Sequence, residues 1–129
     1  MTLRILLAVL ALGAALPAAA ETPPAASLSL EQKMQLRCGA MFAIVADEQR
    51  RGVAEALDFP PLGERGREYF VRTGALLMDA HDLSRDQIDE LARAEVRSLQ
   101  AQSMQAPDPD AFVKNVMEPC LLALDSSGL

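Results

Sequence analysis

Cys38-Gly39-Ala40-Met41-Phe42-Ala43-Ile44-Val45-Ala46 runs without a single polar side chain, and reading it as helix or strand decides the fold. A buried strand is the competing assignment for so short an apolar run. The flanks favour helix. Upstream, Ser29 followed by Gln32 has the spacing of a capping box, and Leu30, Met34, Cys38, Met41 and Val45 recur at steps of four and three. Downstream, Arg50 and Arg51 place cations in the last turn, with Gly52 just beyond it. The spacing therefore predicts one helix between Ser29 and Gly52. Its middle is apolar all round, which makes it the most buried helix or part of an interface. Met41, Phe42, Ile44 and Val45 are the candidate interface residues.

Three further helices follow. A linker containing Phe59-Pro60-Pro61 leads into the second, which is expected to start near Pro61 or Leu62, where proline suits a first turn, and to run to about His81. Gly66, Phe70, Gly74 and Leu77 share one of its faces, with Tyr69 and Leu76 beside it. Two glycines cost such a helix roughly 1 kcal/mol each against alanine, so a neighbouring helix is expected to approach closely there. A bound ligand is the alternative. Leu83-Ser84 before Gln87-Ile88 supplies a capping box and a hydrophobic staple for the third helix. Its stripe is Ile88, Ala92, Val96 and Leu99, and it ends before Pro107. The opposite face (Arg85, Asp86, Asp89, Glu90, Arg93, Arg97) reads as solvated surface. Asp108 caps the fourth helix and Pro109 opens it. Phe112, Val113, Val116, Met117, Cys120, Leu121 and Leu124 form its apolar face. Pro119 removes a donor within it, and a kink is expected near Asn115 to Glu118. The fold class is all-α: a small antiparallel bundle of about four helices.

Toward the N-terminus, Arg4 precedes an apolar run from Ile5 to Leu16, then Pro17 and Ala18-Ala19-Ala20. A positive start, a short apolar core and a small-x-small site describe a cleavable export signal, with the cut between Ala20 and Glu21. The run is too short for an anchor, which needs about 20 apolar residues. Residues 1–20 are thus read as signal, 21–28 as a disordered leader, 29–125 as a single helical domain and 126–129 as a flexible tail. The expected location is the periplasm or the exterior. In an oxidising compartment, Cys38 and Cys120, both on apolar stripes, are expected to join the first and last helices as a disulfide.

Charge bounds the partners. The chain has 12 Lys and Arg against 18 Asp and Glu, and losing Arg4 makes the mature domain more acidic still. That argues against nucleic acid and anionic membranes, which need a basic surface. His81, the only histidine, is expected to interact with the C-terminal end of the second helix rather than to act in catalysis. One histidine and a paired set of cysteines cannot build a tight zinc site. The methionines lack the clustered spacing of copper carriers and read as packing. Adjacent carboxylates such as Asp47-Glu48 and Asp89-Glu90 diverge around a helix. There is no phosphate loop, dinucleotide fingerprint or calcium loop. No catalytic residue, metal ligand or cofactor is expected.

A non-enzymatic interaction protein, binding another protein or a second copy of itself as a homodimer, is the reading favoured by the apolar middle of the first helix. In size, export signal and a single disulfide around a helical core, the chain resembles the periplasmic acid-stress chaperones. That resemblance implies a dimer that opens at low pH to expose apolar surface. Its low lysine content (Lys33 and Lys114) departs from those lysine-rich proteins. Protonating the many carboxylates would build net positive charge in acid. A carrier holding a small apolar ligand between helices is a further alternative, with Gly66 and Gly74 marking the place.

Overall fold

The computed structural model describes residues 27–129; the export signal, its cut and the leader up to residue 26 lie outside them. Four helices make up the described chain: α1 (Leu30–Arg51), α2 (Arg65–His81), α3 (Arg85–Gln105) and α4 (Pro109–Ser126), with a 3-10 turn at Glu55–Asp58. No strand occurs among the described residues. The all-α bundle expected from the sequence is the fold.

The local signals act as predicted. Ser29 and Gln32 form a reciprocal capping box at the start of α1, and Gly52, with φ 75°, ends it in the left-handed conformation. Ser84 and Gln87 cap α3 in the same way. Asp108 accepts from the Ala111 N–H and Pro109 opens α4. Pro119 does not break α4, which runs on to Ser126. Asn115 simply loses the donor that residue 119 would otherwise supply.

α2 starts at Arg65 rather than at Pro61 or Leu62. The Leu62 N–H is drawn to Gln49 Oε1 at 3.1 Å, and Gly63-Glu64 turns before the helix becomes regular. The Leu62 carbonyl still accepts from the Gly66 N–H at 2.9 Å. Two terminal expectations also change. Leu28 is buried rather than part of a loose leader. Leu129 packs on the core, and its carbonyl accepts from Arg65 Nε at 2.9 Å, so the last residues are docked.

α1 is the central element and contacts α2, α3, α4 and the 3-10 turn. The larger apolar cluster gathers around it: Cys38, Met41, Phe42 and Val45 of α1, Leu62, Tyr69 of α2, Leu99 of α3, and Met117, Cys120 and Leu124 of α4. Cys38 and Cys120 are bonded across it, 82 positions apart in sequence. A smaller cluster closes the other end, from Leu28, Leu36, Leu77, Leu83, Ile88 and Leu91. The N-terminal part of the predicted α1 stripe is not core: Leu30 is 80% and Met34 41% exposed. Leu36, off that stripe, is buried instead, because the end of α2 and the start of α3 lie on its side.

The glycines of α2 mark close helix contacts. A Cβ on Gly66 would stand 2.9 Å from Phe42 Cβ, and one on Gly74 3.3 Å from Ile88 Cγ2. α1 and α3 therefore fill the space where a ligand cavity was the alternative.

Candidate functional site

The apolar middle of α1 has two fates. Met41, Phe42 and Val45, read as interface residues, are enclosed by the chain's own helices. This corrects the expectation that a four-helix domain leaves them uncovered: α2 supplies Tyr69, whose ring meets Phe42 edge-on with centroids 5.3 Å apart, and α4 supplies Met117 and Leu124. Ile44 is half-buried, and Ala43, which the sequence reading did not single out, is exposed.

Ala43 lies in a groove of about 310 Å3 between α1 and α3. Gly39, Ala40 and Ala43 form its α1 side and Ala92 and Val96 its α3 side, with Phe70 of α2 closing one end. The shape follows from small side chains. Gly39 has no Cβ, and one built there would be 3.1 Å from Phe70 Cδ2, so the ring lies directly on the α1 backbone. The lining is almost wholly apolar, and the only charged groups around it are Arg93 and Arg97. Arg97 donates to Glu90 at 3.1 Å, with both side chains more than half exposed. Arg93 makes no hydrogen bond or ion pair among the described residues. Further along the same two helices a second depression of about 320 Å3 is lined by Met41, Ile44, Leu99, Met104, Phe112 and Val113, among others.

Other hollows have less to recommend them. A larger one, about 680 Å3, surrounds the start of α2 and carries Glu64, Arg65, Arg67, Glu68 and Arg72. Val71 and Leu129 add apolar surface to it, but five charged side chains surround that surface, and two of the arginines are already engaged, Arg72 with Glu68 and Arg65 with Asp125 outside the hollow. A further surface lies beside the disulfide, where Met34, Tyr69, Pro119 and Ala123 line a hollow of about 420 Å3.

The titratable groups mostly serve the fold. His81, the last residue of α2, places Nε2 2.9 Å from Gln32 Oε1, and that oxygen also accepts from the Ser29 N–H. One side chain thereby ties the start of α1 to the end of α2. Asp47 is held below its ordinary value, chiefly by a hydrogen bond from Arg50, with Arg51 adding to it. Burial pushes the Tyr69 phenol up. Arg37 bridges α1 to α3, meeting Glu95 at 3.1 Å and Gln102 at 3.0 Å. Among the described residues no three His, Cys, Asp or Glu side chains are grouped as metal ligands, and no helix is long and apolar enough to cross a membrane. Met41 and Met117 are packed in the core.

Sequence reasoning missed Gln49. Its Nε2 stands 3.0, 3.2 and 3.0 Å from the carbonyl oxygens of Ala56, Phe59 and Pro60, while Oε1 accepts from Leu62. A lone glutamine in a polar helix end carries no signal of such a role, because its partners belong to a loop whose path is set by tertiary packing.

Comparison with known protein families, characterised proteins and solved structures finds no significant match to this chain.

Proposed function

We propose that this is a non-enzymatic binding protein of an oxidising, extracytoplasmic compartment, and that its α1–α3 groove receives part of another protein. The observation that carries this reading is the groove itself: a trough of small apolar residues on rigid helices, continuing the apolar middle of α1 to the surface. An exposed apolar trough with a charged rim is the usual form of a helix- or peptide-binding surface.

The test is photocross-linking in the producing cell, with a benzophenone side chain at position 43. A discrete product is expected from 43, and its mass distinguishes a foreign partner from a second copy of the chain. The control position is Leu122, which is 66% exposed on α4 and outside the groove. Products from 122 but not from 43 would overturn the assignment of the groove. Mass measurement of the exported protein checks the cut after Ala20.

An acid-protective chaperone is the second reading, favoured by the division of the core. The disulfide crosses only the larger cluster, so the smaller one can open in acid while the chain stays compact. If the protein fails to suppress client aggregation in strong acid, this reading is lost.

A further inference from the structure

We infer that the occupant of the α1–α3 groove is an amphipathic helix of a partner protein that carries two acidic residues one turn apart. This rests on the binding role proposed for the groove and adds the chemistry of its occupant.

Three observations point to it. The first is the floor. On its α1 side Gly39 and Ala40 are buried and only Ala43 is open, and its side chain is a single methyl, so a docking helix can bring its backbone close at that point, as closely packed helices do at interaxial distances of about 8 Å. The second is the open form of the groove, in which Ala43 is itself exposed. An acyl chain lying there would leave one flank in water. A helix needs cover only for its apolar stripe and keeps its other face solvated.

The third is the charge. Arg93 and Arg97 are four residues apart on α3 and are the only charged residues around the groove. That spacing is about 6 Å along the axis, the same as for carboxylates at i and i+4 of a helix lying alongside. Arg93 has no partner among the described residues. Arg97 is held only by Glu90, in a pair with side chains 62% and 53% exposed. Such solvent-exposed pairs contribute little and exchange readily. The chain as a whole is acidic, so long-range attraction does not favour an acidic partner. The two arginines therefore act as local selectors, and arginine suits carboxylates through its planar fork of donors.

The experiment uses the isotope-labelled protein and three probes: a helix-forming peptide with a Leu/Ala stripe and two Glu one turn apart, the same peptide with Lys at both positions, and sodium decanoate. The acidic peptide is expected to shift the amides of Gly39, Ala43 and Val96 and to bind at least roughly tenfold more tightly than the basic one, about 1.4 kcal/mol. The double variant R93E/R97E is expected to reverse that preference. Ala43→Trp, at an exposed position that leaves the core intact, is expected to abolish binding of either peptide.

Equal binding of both peptides, lost in A43W, would overturn the acidic-helix inference and leave the groove as a binding site. Decanoate saturating these amides while neither peptide moves them would overturn it in favour of a small amphiphile. Silence from all three probes would also overturn it, and the groove's own role would then stand or fall with the cross-link from position 43.

Discussion

The two apolar clusters of this small bundle are held by different means. The larger one draws on every helix and is closed by contacts remote in sequence: the Cys38–Cys120 bond, the Gln49 side chain over the 56–62 loop, and Arg65 reaching Leu129 and Asp125. The smaller one, from Leu28 to Leu91, has the remote His81–Gln32 contact but no covalent link, and its other closures are local: the Ser84–Gln87 box, the flanking Leu83 and Ile88, and a left-handed Asp82 that ends α2. The difference teaches that an end without a covalent link is ordered by its caps and turns, so the two ends should fail under different perturbations. The groove lies at their seam, since Phe70 and Ala92 pack on the small cluster while Ala40 and Val96 belong with the large one.

The largest expected effect comes from the disulfide. Replacing both cysteines with alanine opens a loop of 82 positions, for which chain entropy predicts a loss of about 4–5 kcal/mol. Urea unfolding measures it. Hydrogen exchange sharpens the comparison: protection around Met117 and Leu124 should fall more than protection around Leu77. An equal fall at both would mean that the clusters form one cooperative unit.

The glycines of α2 offer a matched pair across the divide. Gly66→Ala drives a methyl against Phe42 Cβ, an atom that cannot swing aside without moving the backbone of α1. Overpacking of this kind costs about 1–3 kcal/mol. Gly74→Ala meets only the Ile88 Cγ2 methyl, at 3.3 Å. A shift of a few tenths of an ångström there is offset by the better helix propensity of alanine, up to about 1 kcal/mol. Its thermal midpoint should therefore stay near that of the parent, while G66A melts lower. The reverse order would show that the smaller cluster is the more rigid.

Gln49→Ala removes a donor shared by three carbonyls and an acceptor for Leu62. The expected loss is about 1–3 kcal/mol, with faster exchange of the Leu62 amide while the Ile88 amide is unchanged. Asp82→Asn should act in the opposite direction. Asp82 holds φ 52°, a conformation asparagine also tolerates, and it sets a negative charge at the C-terminal end of α2. Removing that charge should stabilise the protein by about 0.3–1 kcal/mol at low salt. The gain should shrink as salt is added, and a gain insensitive to salt would exclude the helix dipole as its cause.

Much of this was legible because it is local. The caps at Ser29, Ser84 and Asp108, the stop at Gly52 and the start at Pro109 depend on residues within one turn of each other. The glycine face of α2 was readable as a close contact, because glycine is costly in a helix unless something presses on it. The groove was not readable. Between Cys38 and Ala46 the residues are apolar on all sides, so periodicity contains no information about which of them turns outward. The answer, Ala43 and partly Ile44, depends on where α3 crosses. Arg93 and Arg97 looked like ordinary surface for the same reason, since nothing in their own helix tells what stands beside them.

The sequence by itself determined four helices, their boundaries to within a few residues, and a pair of cysteines that both face inward. Each of those depends on hydrogen bonds and side-chain spacing inside one segment. Tertiary structure alone decided that Met41, Phe42 and Val45 are core, that Gln49 gathers a distant loop, and that Ala43 opens into a trough with two arginines on its rim. Those outcomes depend on crossing positions of helices far apart in the chain. Such positions follow from packing the whole set of side chains at once, which no single segment encodes.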